Sequence, residues 1–164
     1  MIKSKKETGF TLIELLVVVA IIGLLAAVTM GYLSSAKKKG NDTAVKSNLA
    51  TIRTVSEIYY TNNSNTYLPT TGFGSTFGPG LCPSGYSGLG SSMFRTDLAI
   101  ANALAVAVAK GTGNYCYNDA NGWAIAIGLN LDPTKSWCVD SKPSAALESS
   151  IPSLSFNAVT HLCN

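Results

Sequence analysis

The longest run of one kind in this chain is apolar. From Leu15 to Val28 no polar side chain interrupts it. Extended back to Phe10 and on to Leu33, the stretch is about 24 residues, or about 36 Å as a helix, enough to cross a hydrocarbon core of about 30 Å. A lone segment in lipid must satisfy its own backbone hydrogen bonds, so it must be helical. The pattern then changes. Lys37, Lys38 and Lys39 form a polar collar, and beyond it Val45, Leu49, Ile52, Val55 and Tyr59 recur at spacings of four, three, three and four. That is a helical stripe, with Lys46, Arg53 and Glu57 lying off it. The expectation is one helix from about Phe10 to Tyr60, with a membrane half over 10–33 and an amphipathic half over 34–61 whose stripe packs on a body. Gly40-Asn41-Asp42 offers the alternative of two helices, with Asp42 capping the second.

Residues 61–92 read as loop, rich in Ser, Thr, Gly and Asn and punctuated by Pro69, Pro79 and Pro83. A second helix is expected from Thr96 as cap through Asp97 and Leu98 to Lys110, ended by Gly111. Its apolar run is too short to span lipid and is broken by Asn102. The alternation from Leu104 to Ala109 also permits a strand. Asn114–Tyr117 and Trp123–Leu129 flank Asn118-Asp-Ala-Asn-Gly122, a hairpin signal in which Asn121-Gly122 supplies positive φ. Ser136–Asp140 makes a third strand after the Asp132-Pro133 turn. The tail, with Pro143 and Pro152, is expected as an irregular segment or short edge strand. The fold class is α+β: a long amino-terminal helix packed on a small antiparallel sheet, with residues 62–164 as its globular head.

Charge and cysteines refine this picture. Lys3, Lys5 and Lys6 precede the apolar run and predict a cytoplasmic amino end. A secretory signal has a shorter core followed by a small-residue cleavage site; here the punctuation, Gly9, stands before the core. The net charge is +3, and losing residues 1–9, with three lysines and one glutamate, lowers it to +1. Bulk charge therefore does not point to nucleic acid. About 100 residues remain for the body, enough for one modest core. Cys82, Cys116, Cys138 and Cys163 all lie there, without metal-pair spacing, and argue for two disulfides in an oxidising compartment. Spacing alone leaves three pairings open.

No catalytic constellation emerges. The only histidine, His161, stands near the end. Asp119, Asn121 and Asp132 lack the acidic series of a calcium loop, and neither Gly72-Phe-Gly74 nor Gly78-Pro-Gly80 has the Lys-Ser/Thr of a phosphate loop. No enzyme activity, metal or cofactor is expected. The lysines at 37–39 read better as a solvated collar than as a lipid site. Gly23 and Gly31 would let neighbouring membrane helices approach closely, while lowering helix propensity.

Glu14 is the anomaly. A carboxylate inside an apolar membrane helix is costly unless it reaches water, protonates or finds a partner. Thr11 and Glu14 have the spacing of a capping box. That explains an acid near a helix start, but not one at the edge of lipid.

Gly9-Phe10-Thr11-Leu12-Ile13-Glu14-Leu15, after a basic leader and before an apolar helix, resembles the signature of type IV pilins and pseudopilins. The resemblance covers residues 1 to about 60. It implies cleavage after Gly9 by a prepilin peptidase and methylation of the new amine of Phe10. It further implies that Glu14 pairs with the amino terminus of a neighbouring subunit during assembly. Among cysteine pairings, Cys82–Cys116 with Cys138–Cys163 is favoured, the second tying the carboxyl end to a strand as the resemblance implies. The partners implied are identical or related pilin subunits, the peptidase, inner-membrane assembly machinery and, before assembly, membrane lipid. The subunit would pass from a single-span inner-membrane form with an exported head to an extracellular filament. A pseudopilin of a type II secretion system, or a membrane-anchored binding module that never polymerises, are the competing readings. The helix-breaking proline common in this family's membrane half is absent, with Gly31 at about its place.

Overall fold

The computed structural model describes residues 9–70, 76–88, 90, 92–142, 145–148 and 163, with 145–148 described by backbone alone. The leader before Gly9, Gly72 and Gly74, Pro143, Pro152 and His161 lie outside the described residues. Two compact units are present, Met1–Lys37 and Lys38–Asn164.

Helix α1 runs over Leu12–Asn62 without a break at Gly40. In the first unit its side chains are exposed throughout the described residues, with Leu12 at 86% and Leu24 at 68%. Among the described residues it is the one helix long and apolar enough to cross a membrane. In the second unit α1 buries Val45, Leu49 and Ile52 completely, and Val55 and Tyr59 pack beside them. The stripe thus faces the core as its periodicity requires. Each fully buried aliphatic side chain of this kind stabilises the fold by about 1.5–3 kcal/mol.

The sheet has five strands, β1 (Phe77–Gly80), β2 (Asn114–Asn118), β3 (Trp123–Gly128), β4 (Ser136–Asp140) and β5 (Ala145–Glu148), antiparallel and in chain order: the three expected strands, β5 as a short edge strand in the tail, and β1. β1 corrects the expectation of continuous loop over 61–92. Its sequence, Phe-Gly-Pro-Gly, carries no strand signal, and its pairing with β2 is irregular between Phe77 and Gly80. Gly78 has φ +84°, and a Cβ there would stand 2.5 Å from the Cys116 carbonyl oxygen, so only glycine fits.

β3 is buried along its whole length. Trp123, Ile125 and Ile127 face the core shared with α1, while Ala124 and Ala126 face the other side with Tyr117 and Cys138. This is the period-two alternation of a strand covered on both faces. The disulfides respect it. Cys116 lies on the α1 side and bonds Cys82; Cys138 lies on the opposite side and bonds Cys163. Each bridge stabilises the fold by about 2–4 kcal/mol.

The expected second helix forms over Leu98–Lys110, and a further short helix precedes it. Helix α2 (Met93–Thr96) is capped by Ser92, and helix α3 (Leu98–Lys110) by Asp97, whose side chain accepts from the Ile100 amide at 2.9 Å. Thr96 therefore ends a helix instead of starting one, its hydroxyl bonding back to the Ser92 carbonyl. α3 ends at Gly111, whose φ of −87° any residue could adopt. Glycine is needed for space: a Cβ would collide with Ile127 Cγ2 and lie 3.0 Å from the Gly128 carbonyl oxygen.

The β2–β3 loop is also built differently from expectation. Neither Asn121 nor Gly122 adopts positive φ. Asp119 organises the turn instead: its Oδ1 accepts from the Asn121 and Gly122 amides at 2.8 and 2.7 Å. A short side-chain acceptor replaces the left-handed backbone of a two-residue hairpin turn.

Candidate functional site

The sequence singles out Gly9, Phe10 and Glu14, which lie at the start of α1. Gly9 and Phe10 precede the helix, and Phe10 is 85% exposed. Thr11 caps it. The Thr11 amide and hydroxyl donate to Glu14 Oε2 at 2.9 and 2.7 Å, and the Glu14 amide donates to Thr11 Oγ1 at 3.3 Å. This is a reciprocal capping box, two otherwise orphaned amides answered by two side chains. Both Thr11 bonds go to one carboxylate oxygen. Oε1 has no hydrogen-bond partner among the described residues, so the carboxylate can hold the helix start and still accept another donor. Phe10, Ile13, Glu14 and Val17 line one shallow apolar groove, as expected for positions three and four apart. The acid is thus set in an uncharged surface.

The head holds two further polar assemblies that sequence reasoning missed. Asp42, in mid-helix and buried, does not cap a helix. Its Oδ1 accepts from the Asn130 backbone and side-chain amides at 2.6 and 3.2 Å, and its Oδ2 from the Leu131 amide at 3.0 Å. Asn130 also donates to the Lys110 carbonyl at 2.6 Å, satisfying one of the open carbonyls at the end of α3. Asn118, fully buried, accepts from the Met93 amide and donates to the Tyr67 carbonyl. The two residues bind the loops around the sheet to the helices. Their partners are 88 and 51 residues away, so no local pattern announces them.

Near the β2–β3 loop, the Tyr117 hydroxyl donates to Asp119 Oδ2 at 2.6 Å. Burial, then the bond to Asp119 and its negative charge, push the Tyr117 phenol up to about 12. Burial also raises the Tyr67 phenol, reinforced by its bond to Glu57. Asp119, considered above as a calcium ligand, already spends both oxygens on the turn and on Tyr117. Among the described residues no group of three or more His, Cys, Asp or Glu side chains gathers in metal-binding arrangement.

Comparison with known proteins agrees with the geometry at the helix start. Residues 4–30 match the family model of the prokaryotic N-terminal methylation motif. The chain is 47% identical over 61 residues to the type IV wide pilus major component PilA4 of Thermus thermophilus, covering 37% of this chain and 47% of that protein. It is 35% identical over 69 residues to the type II secretion system core protein G of Vibrio cholerae, covering 42% of this chain and 46% of that protein. The chain therefore spans about half the length of the curated relatives it matches. No solved structure matches it significantly. The likeness thus lies in the amino-terminal part of the chain, which carries the prokaryotic N-terminal methylation motif and is similar there to a type IV pilus component and to a type II secretion system core protein.

Proposed function

We propose that the chain is a structural subunit of a type IV pilus-like filament, made as a membrane-anchored precursor. The observation that carries this reading is the pairing of Glu14 and the Phe10 junction with a wholly exposed apolar half of α1. In the precursor the Phe10 nitrogen is a neutral amide. Cleavage after Gly9 by a prepilin peptidase turns it into an amine, which is then methylated and positively charged. That amine is the natural counter-ion for Glu14 of a neighbouring copy. An acid taken from the membrane edge into a packed helical core must be paired, since an unpaired buried charge is expensive. One covalent cut would therefore create the charge that assembly needs and remove the basic leader. Before assembly the 10–33 half would lie in the inner membrane, with the assembly machinery delivering subunits to the fibre.

Similarity to both a wide-pilus component and a type II secretion protein supports a pilin or a pseudopilin. We favour the pilin. The test is intact mass and amino-terminal sequencing of the exported protein, followed by electron microscopy of sheared surface material. N-methyl-Phe at residue 10 together with filaments containing this chain is the expected result. A mature chain starting beyond Val28 would defeat the reading, because the helix would then be a discarded signal. Loss of secreted proteins on deletion of the gene, without loss of surface filaments, would transfer the assignment to a secretion pseudopilus.

A further inference from the structure

A groove of about 550 Å³ opens on the second unit between α1 and the β3–β4 loop. Three ammonium groups, from Lys39, Lys46 and Lys135, stand on it, and Leu129 and Leu131 give it an apolar floor. The carboxylates present do not neutralise it evenly. Asp42 is buried and holds three amide donors of the Asn130–Leu131 turn. Asp132 takes the Thr134 amide and hydroxyl on one oxygen, and only its other oxygen reaches Lys135, loosely, at 3.7 Å. The Lys46 ammonium rests 4.5 Å from the centre of the Trp137 ring, a cation–π contact that holds it in place. Leu131 is 53% exposed beside these cations. Lysines around an exposed leucine match an amphiphile with a negative head and an apolar tail.

The position along the chain narrows the ligand further. Lys39 follows Leu33, the last residue of the membrane stretch, by six residues. Even a fully extended chain spans only about 20 Å over that distance. In an anchored subunit the groove is therefore tethered close to the lipid surface. Lys37 and Lys38 add cationic charge in the same short interval.

We propose that this groove binds the headgroup phosphate of an anionic phospholipid in the leaflet where α1 leaves the membrane. Lys39, Lys46 and Lys135 hold the phosphate, and Leu129 and Leu131 meet the glycerol and upper acyl carbons. The proposal revises the reading of residues 37–39 as a merely solvated collar, because folding adds Lys46, Lys135 and the leucines to them. It rests on the membrane-anchored stage of the proposed function, not on filament formation. Its consequence is that the resident subunit is held against the membrane by its head as well as by its helix.

The test uses the full chain in nanodiscs of phosphatidylcholine alone or of equimolar phosphatidylcholine and phosphatidylglycerol. Lysine acetylation is followed residue by residue by mass spectrometry. The expected result is about fivefold slower labelling of Lys39, Lys46 and Lys135 in the anionic discs, the effect of a favourable lysine–headgroup contact. Lys110 and Lys142 should be unchanged. Lys39→Gln with Lys46→Gln and Lys135→Gln should remove the preference of the chain for phosphatidylglycerol in native mass spectrometry, while Lys110→Gln keeps it. Equal labelling in both discs, or equal slowing of every lysine, overturns the proposal, as does protection by inorganic phosphate in phosphatidylcholine discs alone. Failure of the chain to insert into either disc would overturn the anchoring stage and this proposal with it; insertion without protection would overturn this proposal alone.

Discussion

Asn130 donates twice to one oxygen of Asp42, from its backbone at 2.6 Å and from its side chain at 3.2 Å, across 88 residues of sequence. With the Leu131 bond to the other oxygen, this carboxylate fastens the β3–β4 loop to α1. Asp42→Ala leaves those amides without an acceptor in a buried site. The expected loss is about 2–4 kcal/mol of head stability. It is measured as a lower denaturant midpoint of the full chain in detergent, followed by tryptophan fluorescence. An unchanged midpoint would mean that water replaces the carboxylate without cost.

Two glycines should respond to alanine with opposite sign. Gly40 lies inside α1 with nothing within 4 Å of a new Cβ. Gly40→Ala should stabilise the helix by up to about 1 kcal/mol through propensity alone. At Gly111 the new methyl meets Ile127 and the Gly128 backbone. Gly111→Ala should cost about 1–3 kcal/mol from overpacking. Thermal melts of the two variants side by side test the contrast. Equal effects would mean that the contact at Gly111 relaxes freely.

Alkali should loosen the head through Tyr117 and Tyr67. Both phenols titrate higher in the folded protein than the ordinary tyrosine value of about 10, Tyr117 at about 12. The folded state then holds protons that the unfolded state has released. This stabilisation is complete below pH about 10 and is lost as pH rises through the folded values. Denaturation midpoints should be flat to about pH 10 and fall beyond it, with late-ionising phenol absorbance at 295 nm as a rough independent marker. Tyr117→Phe should make the fall shallower. A wild-type midpoint that rises above pH 10 would contradict the sign.

Glu14 separates capping from assembly. Glu14→Ala removes the capping box, about 0.5–2 kcal/mol at a helix start, a small change for a helix of 51 residues. Membrane insertion and cleavage after Gly9 should survive, while filament yield should fall severely. Glu14→Gln can still accept the Thr11 bonds but carries no charge, so it should restore the cap and not the filaments. Filaments of normal yield from Glu14→Ala would reduce this residue to a helix cap.

Much of the fold could be read from periodicity. The Val45–Leu49–Ile52 stripe and the Trp123–Ile127 alternation face the core because single elements with one repeating pattern have few other ways to bury it. The capping box was legible for the same reason: Thr11 and Glu14 are three residues apart. What escaped were structures whose partners are remote or whose chemistry is ambiguous. β1 is Phe-Gly-Pro-Gly, paired despite its composition. Asp97 and Thr96 are both good caps, and only the short turn before them decides for Asp97. The continuous helix through Gly40 was expected, but the role of Asp42 was not: the amides that donate to it belong to Asn130 and Leu131, 88 and 89 residues away. Of the candidate site, the motif residues were visible and the lysine groove was not, since it joins residue 39 to residue 135 through the fold.

The two disulfides close separate rings, Cys82 to Cys116 and Cys138 to Cys163, which follow one another along the chain without overlapping. A single proteolytic nick inside either ring opens it but releases no fragment, and the damaged protein would run as one band until reduced. Between the rings lies the interval from Cys116 to Cys138, which contains the loops on both sides of β3. A nick at Asp119–Gly122 would divide the molecule covalently, with β1 and β2 on one piece and β3, β4 and β5 on the other. Only the hydrogen bonds and packing at the β2–β3 seam, together with α1 and α3, would then keep the pieces together.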